Sequence, residues 1–394
     1  MPRFLFSGRR GRRTGHTRRA MRTAAVALAA LALVTTACSK DKATDTTAAA
    51  SVVETTAAPA DTSAAPATDT TGVVDTTITV DTTVAADTTT ASFPLPEDGT
   101  FQMGIEPWLG YGGWLVAEKQ GLFANNGIDV KIATFTTDDE INAALVAGKL
   151  DGANIATHTA LRLKSEGTPI TIVTLLDQSN GADAIIAKKT IKSIADLKGK
   201  KVAYEQGTTS DLLLNAALAA NAMTLADITP VKLPAADVAA ALQSGQVDVG
   251  VTYEPYITPF LAKNTDFASL YPASNIPGIV SDVFVVRDDV LKSKPGQIHG
   301  LLVSLGEAID SYNVNPKAAQ DIISTGVGAK PGELDLAFKG VKLYTTAEAK
   351  ALLAGDFAAK TLPAVLKAAT DAGIITKPVD TTKIIDPTPL QALR

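Results

Sequence analysis

Five short segments of this chain carry side chains suited to chemistry on a small molecule. Gly207-Thr208-Thr209-Ser210 is a glycine turn followed by three hydroxyls. At the start of a helix, its free N–H groups and the helix dipole would make an anion site; the plainer alternative is an ordinary helix cap by Thr209 or Ser210. The segment lacks the lysine and spacing of a phosphate-binding P-loop, so nucleotide binding is not indicated. Glu106-Pro107-Trp108, followed by Tyr111, and Tyr253-Glu254-Pro255-Tyr256 each set a carboxylate beside aromatic rings. Such pairs suit an ammonium, an amidine or an N–H-rich heterocycle. The alternative is structural: Trp108 and Tyr256 filling lobe surfaces, Glu254 capping a turn. Thr157-His158-Thr159 and Ser281-Asp282 complete the set, although a lone His near a helix start is commonly a local hydrogen-bonder. Three His and one Cys in 394 residues supply no metal-ligand cluster. No Cys–His or Ser–His–Asp set converges either. Hence no metal, no cofactor and no catalytic residue is expected.

The elements that must position these segments alternate from about residue 101. Strand patterns at 101–105, 128–135, 152–156 and 170–176 are separated by helical patterns at 113–120, 138–147 and 157–166. A second series follows, with strands at 202–205, 229–233 and 247–252 and helices at 210–221 and 237–243. A further apolar strand is read at 282–287. Beyond it the pattern is helical, at 295–313, 316–325, 331–336, 347–353 and 361–372, each helix punctuated by Pro or Gly. Strand–helix alternation predicts an α/β fold with largely parallel sheets flanked by helices. In such sheets ligands gather at the carboxyl ends of the strands, where helix N-termini point inward. The five segments fall at those ends.

A repeat predicts two such lobes. Glu140-Ile-Asn-Ala-Ala-Leu145-Val-Ala-Gly148-Lys-Leu-Asp151 and Asp237-Val-Ala-Ala-Ala-Leu242-Gln-Ser-Gly245-Gln-Val-Asp248 share one pattern of acid, Leu, Gly and Asp. Each reads as a helix that opens on a carboxylate, stops at a left-handed glycine and passes into a strand. A cleft between two lobes is a natural site for a small molecule.

The first 38 residues read as an export signal. Eight arginines fall within residues 1–22, and a short apolar run ends at Val34-Thr-Thr-Ala-Cys38. The only Cys of the chain stands there, as in a bacterial lipobox, although Thr35 replaces the usual Leu or Val. Lipidation of Cys38 would anchor the chain to the membrane. Arginine pairs leave twin-arginine export open beside the general route, and Met21 is a second candidate start. Residues 39–98 are Thr, Ala, Asp, Ser and Pro-rich, without an aromatic residue between Cys38 and Phe93, and predict a disordered tether. The net charge of −5 is mild, so nucleic-acid binding is not expected.

The chain from about Phe101 to Leu352 resembles the nitrate/sulfonate/taurine-type solute-binding proteins of ABC importers, relatives of thiamine-pyrimidine binders. The resemblance rests on Gly104-Ile-Glu-Pro-Trp108 with Ala117-Glu-Lys-Gln-Gly-Leu-Phe123, and on Ala144-Leu-Val-Ala-Gly-Lys-Leu-Asp151. It continues through Gly181-Ala-Asp-Ala-Ile-Ile186, Ile194-Ala-Asp-Leu-Lys-Gly-Lys-Lys-Val-Ala203 with Gly207-Thr-Thr-Ser210, and Gln246-Val-Asp-Val-Gly-Val-Thr-Tyr-Glu-Pro255. It implies a two-lobed periplasmic-binding fold with two hinge crossings: 99–187 as the first part of lobe one, 188–282 as lobe two, and 283–394 as the return to lobe one. Ligand contacts carried over from the resemblance fall on Trp108, Tyr111, Thr208, Thr209, Ser210 and Glu254, with Asp282 at the hinge strand. Glu106, Thr157, His158 and Tyr253 join them from the reading of the strand ends. Three carboxylates in such a pocket argue against nitrate or a simple alkyl sulfonate, and for a solute with N–H donors or a cationic amine, its anionic end on Thr208–Ser210. Taurine-like, pyrimidine and urea- or guanidine-like solutes stay open.

The expected function is that of an extracytoplasmic capture lipoprotein, a monomer delivering solute to a membrane permease and its ATPase. The competing readings are a sensory ligand-binding lipoprotein and an enzyme on the same fold.

Overall fold

The computed structural model describes residues 94–394. The signal, Cys38 and residues 39–93 of the expected tether lie outside the described residues. The last residues of that tether, 94–98, belong to the folded body. Both carboxylate oxygens of Glu97 accept backbone N–H groups, from Gly296 at 3.0 Å and Gln297 at 2.9 Å, at the start of the helix Pro295–Val314. A carboxylate there satisfies two otherwise orphaned donors and complements the helix dipole. The amide of Gln297 in turn donates to the carbonyls of Glu97 and Gly99, both at 2.6 Å.

Eleven strands among the described residues form two sheets. In chain order they are β1 (Thr100–Ile105), β2 (Asp129–Thr134), β3 (Gly152–Ala156), β4 (Ile170–Ser179), β5 (Asp183–Lys188), β6 (Lys201–Tyr204), β7 (Thr229–Lys232), β8 (Val249–Tyr253), β9 (Phe267–Pro272), β10 (Ser281–Arg287) and β11 (Val341–Leu343). The first sheet runs β11-β4-β10-β3-β1-β2, the second β7-β6-β8-β5-β9. Both are mixed. The pairs β1–β2, β1–β3, β6–β7 and β6–β8 are parallel. The antiparallel pairs enter with β10, which lies between β3 and β4, with β5, which lies between β8 and β9, and with β11 on β4. The largely parallel sheets expected from sequence are therefore parallel only in their strand–helix–strand halves.

The two sheets share one plan. The run β2-β1-β3-β10-β4 matches β7-β6-β8-β5-β9, and the repeated segment supplies the helix before β3 and before β8. Gly148 and Gly245 stop those helices at φ +70° and +72°, a conformation that glycine adopts without a Cβ clash. The repeated aspartates do equivalent work. The N–H of Asp151 donates to Gln102 O at 2.8 Å and its carboxylate accepts from Gln102 N at 2.9 Å. Asp248 does the same to Lys201, at 3.0 and 3.1 Å. Each aspartate thus clips its corner to the neighbouring parallel strand, which places both sets of strand ends.

The chain leaves the first sheet after Ser179 and re-enters it at Ser281. Asp183–Lys188, expected to end the first lobe, is hydrogen-bonded inside the second sheet. β10 is a central strand whose residues Val283 to Val286 are all fully buried, as expected for a strand covered on both faces. Residues 331–336 are turns where a helix was expected, with Gly332 in the left-handed region. One core surrounds the first sheet, including Trp114, Phe101 and Phe284. Two smaller cores cover the faces of the second sheet.

Candidate functional site

The strand ends of the two sheets face each other across a small cavity of about 30 Å³. From the first lobe it is lined by Glu106 and Trp108 after β1, Tyr111, Asp138, Ala156 at the end of β3, and Asp282 at the start of β10. From the second lobe come Asp183 at the start of β5, Thr209 and Tyr253, with Val280 from the crossing between them. The indole of Trp108 meets the ring of Tyr253 edge-on across the lobes, with centroids 5.9 Å apart, and Tyr256 follows at 5.5 Å from Tyr253.

Hydrogen bonds lock these side chains. Trp108 Nε1 donates to Asp177 Oδ1 at 3.0 Å, and Tyr111 Oη donates to Asp282 Oδ1 at 3.1 Å. Gly110 lets the loop lie against Asp177, since a Cβ there would fall 2.0 Å from Asp177 Oδ2. The N–H of Asp183 donates to Ser179 Oγ at 3.0 Å, and the nearby Ser179 and Thr209 side chains work against the rise that burial imposes on its carboxyl. Glu106 is 8% exposed, and its Oε1 has no hydrogen-bond partner.

Electrostatically the cavity is one-sided. Glu106, Asp138, Asp183 and Asp282 are carboxylates, and no lining residue among those described carries a positive charge. Burial, reinforced by the neighbouring carboxylates, raises Glu106 well above the ordinary carboxylate range. Burial and the charges of Glu205 and Asp282 push Asp138 up to about 7, with Arg162 acting the other way. Burial pushes Asp183 up to about 7 and Asp282 to about 6. Asp177, behind Trp108, is raised by burial and by the neighbouring Asp282, with the Trp108 N–H acting the other way. An apolar surround disfavours the charged form, and like charges compound the effect.

Of the residues picked from sequence, Glu106, Trp108, Tyr111, Thr209, Tyr253 and Asp282 line the cavity. Thr157, His158, Thr208, Ser210 and Glu254 do not. Thr157 Oγ1 ties β3 to Ser281 of β10 at 2.9 Å. His158 Nε2 lies 3.3 Å from Gly207 O, a contact between lobes, and burial lowers its pKa to about 4. Thr208 is the N-cap of the helix Thr209–Ala219, accepting from Ser210 N and donating to Glu205 O. The N–H of Gly207 is taken by Asp211 Oδ2 at 2.9 Å. The seat read as an anion site thus already holds a carboxylate of the chain. Ser210 Oγ is buried without a partner. Glu254 caps the helix Ile257–Lys263 through Thr258 N and Oγ1, at 3.0 and 2.6 Å. That is the turn-capping alternative.

The segments around Glu106 and Glu254, alike in pairing a carboxylate with aromatic rings, are not structural counterparts. By topology β1 corresponds to β6, so the equivalent of Glu106 is Glu205, the first residue after β6. Glu205 accepts from Ala235 N at 2.9 Å and lies near enough to raise the pKa of Glu106. Asp138, Asp177 and Asp183 were missed as site residues. Asp138 was read only as a helix opener, Asp177 lay beyond the expected end of its strand, and β5 was not recognised as a strand.

Two mixed α/β lobes joined by two crossings, with a cavity at their facing strand ends, define the fold of periplasmic binding proteins. The crystal structure of the periplasmic aliphatic sulphonate binding protein of Escherichia coli superposes with a TM-score of 0.62 at 19% identity, over 75% of this chain and all of that one. Residues 109–319 match the NMT1/THI5 like family, and the chain belongs to it. A provisionally named binding protein of Brucella abortus is 29% identical over 242 residues, covering 59% of this chain and 73% of that protein. The taurine-binding periplasmic protein of Escherichia coli is 25% identical over 202 residues, covering 51% of this chain and 63% of its own length.

Proposed function

We propose that this protein is the extracytoplasmic solute-binding component of an ABC importer. It captures a small polar nitrogen- or sulfur-containing solute and delivers it to a membrane permease powered by an ATPase. It acts as a monomer rather than as an enzyme, and is held at the outer face of the cytoplasmic membrane by a lipid on Cys38. The observation that carries the reading is the cavity walled from both lobes by strand-end residues. A solute touching both walls binds the closed state better than the open one, and that difference drives closure. The relatives named for sulfonate and taurine binding support the class, and the signal-like first 38 residues support export. Tethering would raise the effective concentration at the permease.

A thermal-denaturation screen tests it, with taurine, alkyl sulfonates, nitrate, pyrimidines, urea and guanidine as solutes. A true ligand at 100 times its dissociation constant stabilises by about 2.7 kcal/mol. A screen of these classes in which the melting temperature never moves contradicts the assignment.

A further inference from the structure

We infer that the solute is a compact organic cation, of the amidinium, guanidinium or short alkylammonium class, bound between the carboxylates of both lobes and beside the rings of Trp108 and Tyr253. This rests on the solute-binding reading and names the ligand class of that same cavity.

Glu106, Asp138 and Asp282 approach from one lobe and Asp183 from the other, with no lysine, arginine or histidine on the described lining. Arg162, the cation that acts on Asp138, stands on the helix Thr157–Ser165 with its guanidinium 3.5 Å from Glu166. It is no part of the wall. A sulfonate or nitrate placed here would meet several carboxylates and find the Gly207 N–H already bonded to Asp211. Buried like charges hold together only if they are protonated or neutralised by a counter-ion. Glu106 Oε1 points the same way. It is a buried acceptor on the cavity wall with no donor in the protein, and such atoms are rare unless a ligand completes them. A cation with several N–H groups supplies both the charge and the donors. Trp108 and Tyr253 line the cavity and meet edge-on across the lobes, and a cation held beside electron-rich rings gains further when water is excluded. The volume sets the size. A cavity of about 30 Å³ has room for about two waters, so the closed form favours a solute of few heavy atoms.

Titration calorimetry at pH 7.5 tests this, using acetamidinium, guanidinium and methylammonium chlorides against taurine, ethanesulfonate, nitrate and urea. At least one cation should bind about tenfold or more tighter than zwitterionic taurine, the two anions and urea. Glu106→Gln and Asp183→Asn should each weaken that cation by about tenfold, the scale of one charge-assisted hydrogen bond. Asp183→Asn keeps the test open if Glu106→Gln does not fold. Tighter binding of taurine, an anion or urea overturns the cation class and leaves the solute-binding reading intact. A cation whose affinity neither variant changes is bound elsewhere, which also overturns the inference. If a folded protein binds none of the seven, the cation inference falls, and the solute-binding reading falls only if the wider thermal screen, pyrimidines included, also shows no shift.

Discussion

Replacing Asp183 by asparagine should stabilise the empty protein, and the gain should grow with pH. Asp183 is buried, and burial pushes its pKa from 3.8 to about 7. The sign follows from proton linkage. The folded state holds a proton that the unfolded chain has lost, so the wild type's stability is full below about 3.8 and falls as pH rises to about 7. Each pH unit in that window removes about 1.4 kcal/mol, so the loss from this group is roughly 1.6 kcal/mol at pH 5 and roughly 4 kcal/mol above pH 7. The charges of Asp282 and Glu254 add to the same rise. Asparagine resembles the protonated carboxyl in shape and carries no charge at any pH, so it escapes the penalty. His158, lowered from 6.5 to about 4 by burial, opposes the trend with one proton between about pH 4 and 6.5 and is common to both proteins, whereas Asp138 and Asp282 add to it. Urea denaturation of both proteins at pH 5, 6, 7 and 8 reads the difference directly. The expected result is a gain that climbs to about pH 7 and then levels. A variant no more stable than wild type at pH 8, or a gain independent of pH, refutes the picture of Asp183 as a buried, charge-strained carboxyl.

The same groups make ligand binding pH-dependent. A cation selects the ionised carboxylates, so its affinity should rise between pH 5 and 8, with proton release visible as a buffer-dependent heat in calorimetry. Trp108→Phe removes the indole N–H from Asp177 Oδ1 and should cost about 1–3 kcal/mol in chemical denaturation, the penalty for an orphaned buried acceptor. Gly250→Ala should cost about 1–3 kcal/mol by the same measurement, because the new Cβ would sit 2.3 Å from Val238 Cγ1. His158→Ala removes the contact to Gly207 O between the lobes and should raise the radius of gyration of the empty protein in solution scattering.

The repeat carried most of what the sequence could say about the fold. Gly148 and Gly245, with Asp151 and Asp248, mark equivalent corners because a helix stop followed by a strand requires a particular backbone conformation and leaves a local signature. Pairing direction is not local. Nothing in Asp183–Lys188 or Ser281–Arg287 announces that each runs antiparallel to its neighbours, and the crossings were displaced accordingly. At the site, Glu106, Trp108 and Tyr253 were legible because aromatic rings beside carboxylates at strand ends are conspicuous. Thr208 and Glu254 were misleading for a physical reason: hydroxyls and carboxylates at helix starts serve the backbone first, and here they do. Asp138 and Asp177 became visible only when tertiary packing brought their carboxyls to Glu106 and Asp282.

The central claim is that two lobes close over a solute at their facing strand ends. Spin labels at cysteines replacing Lys131 on β2 and Lys232 on β7, with Cys38 replaced, report the distance between the lobes by pulsed electron resonance. Both positions are exposed. On saturation with the best binder of the solute panel, the distance distribution should shift to shorter values and narrow. An unchanged distribution, with binding verified in the same sample, would contradict the account.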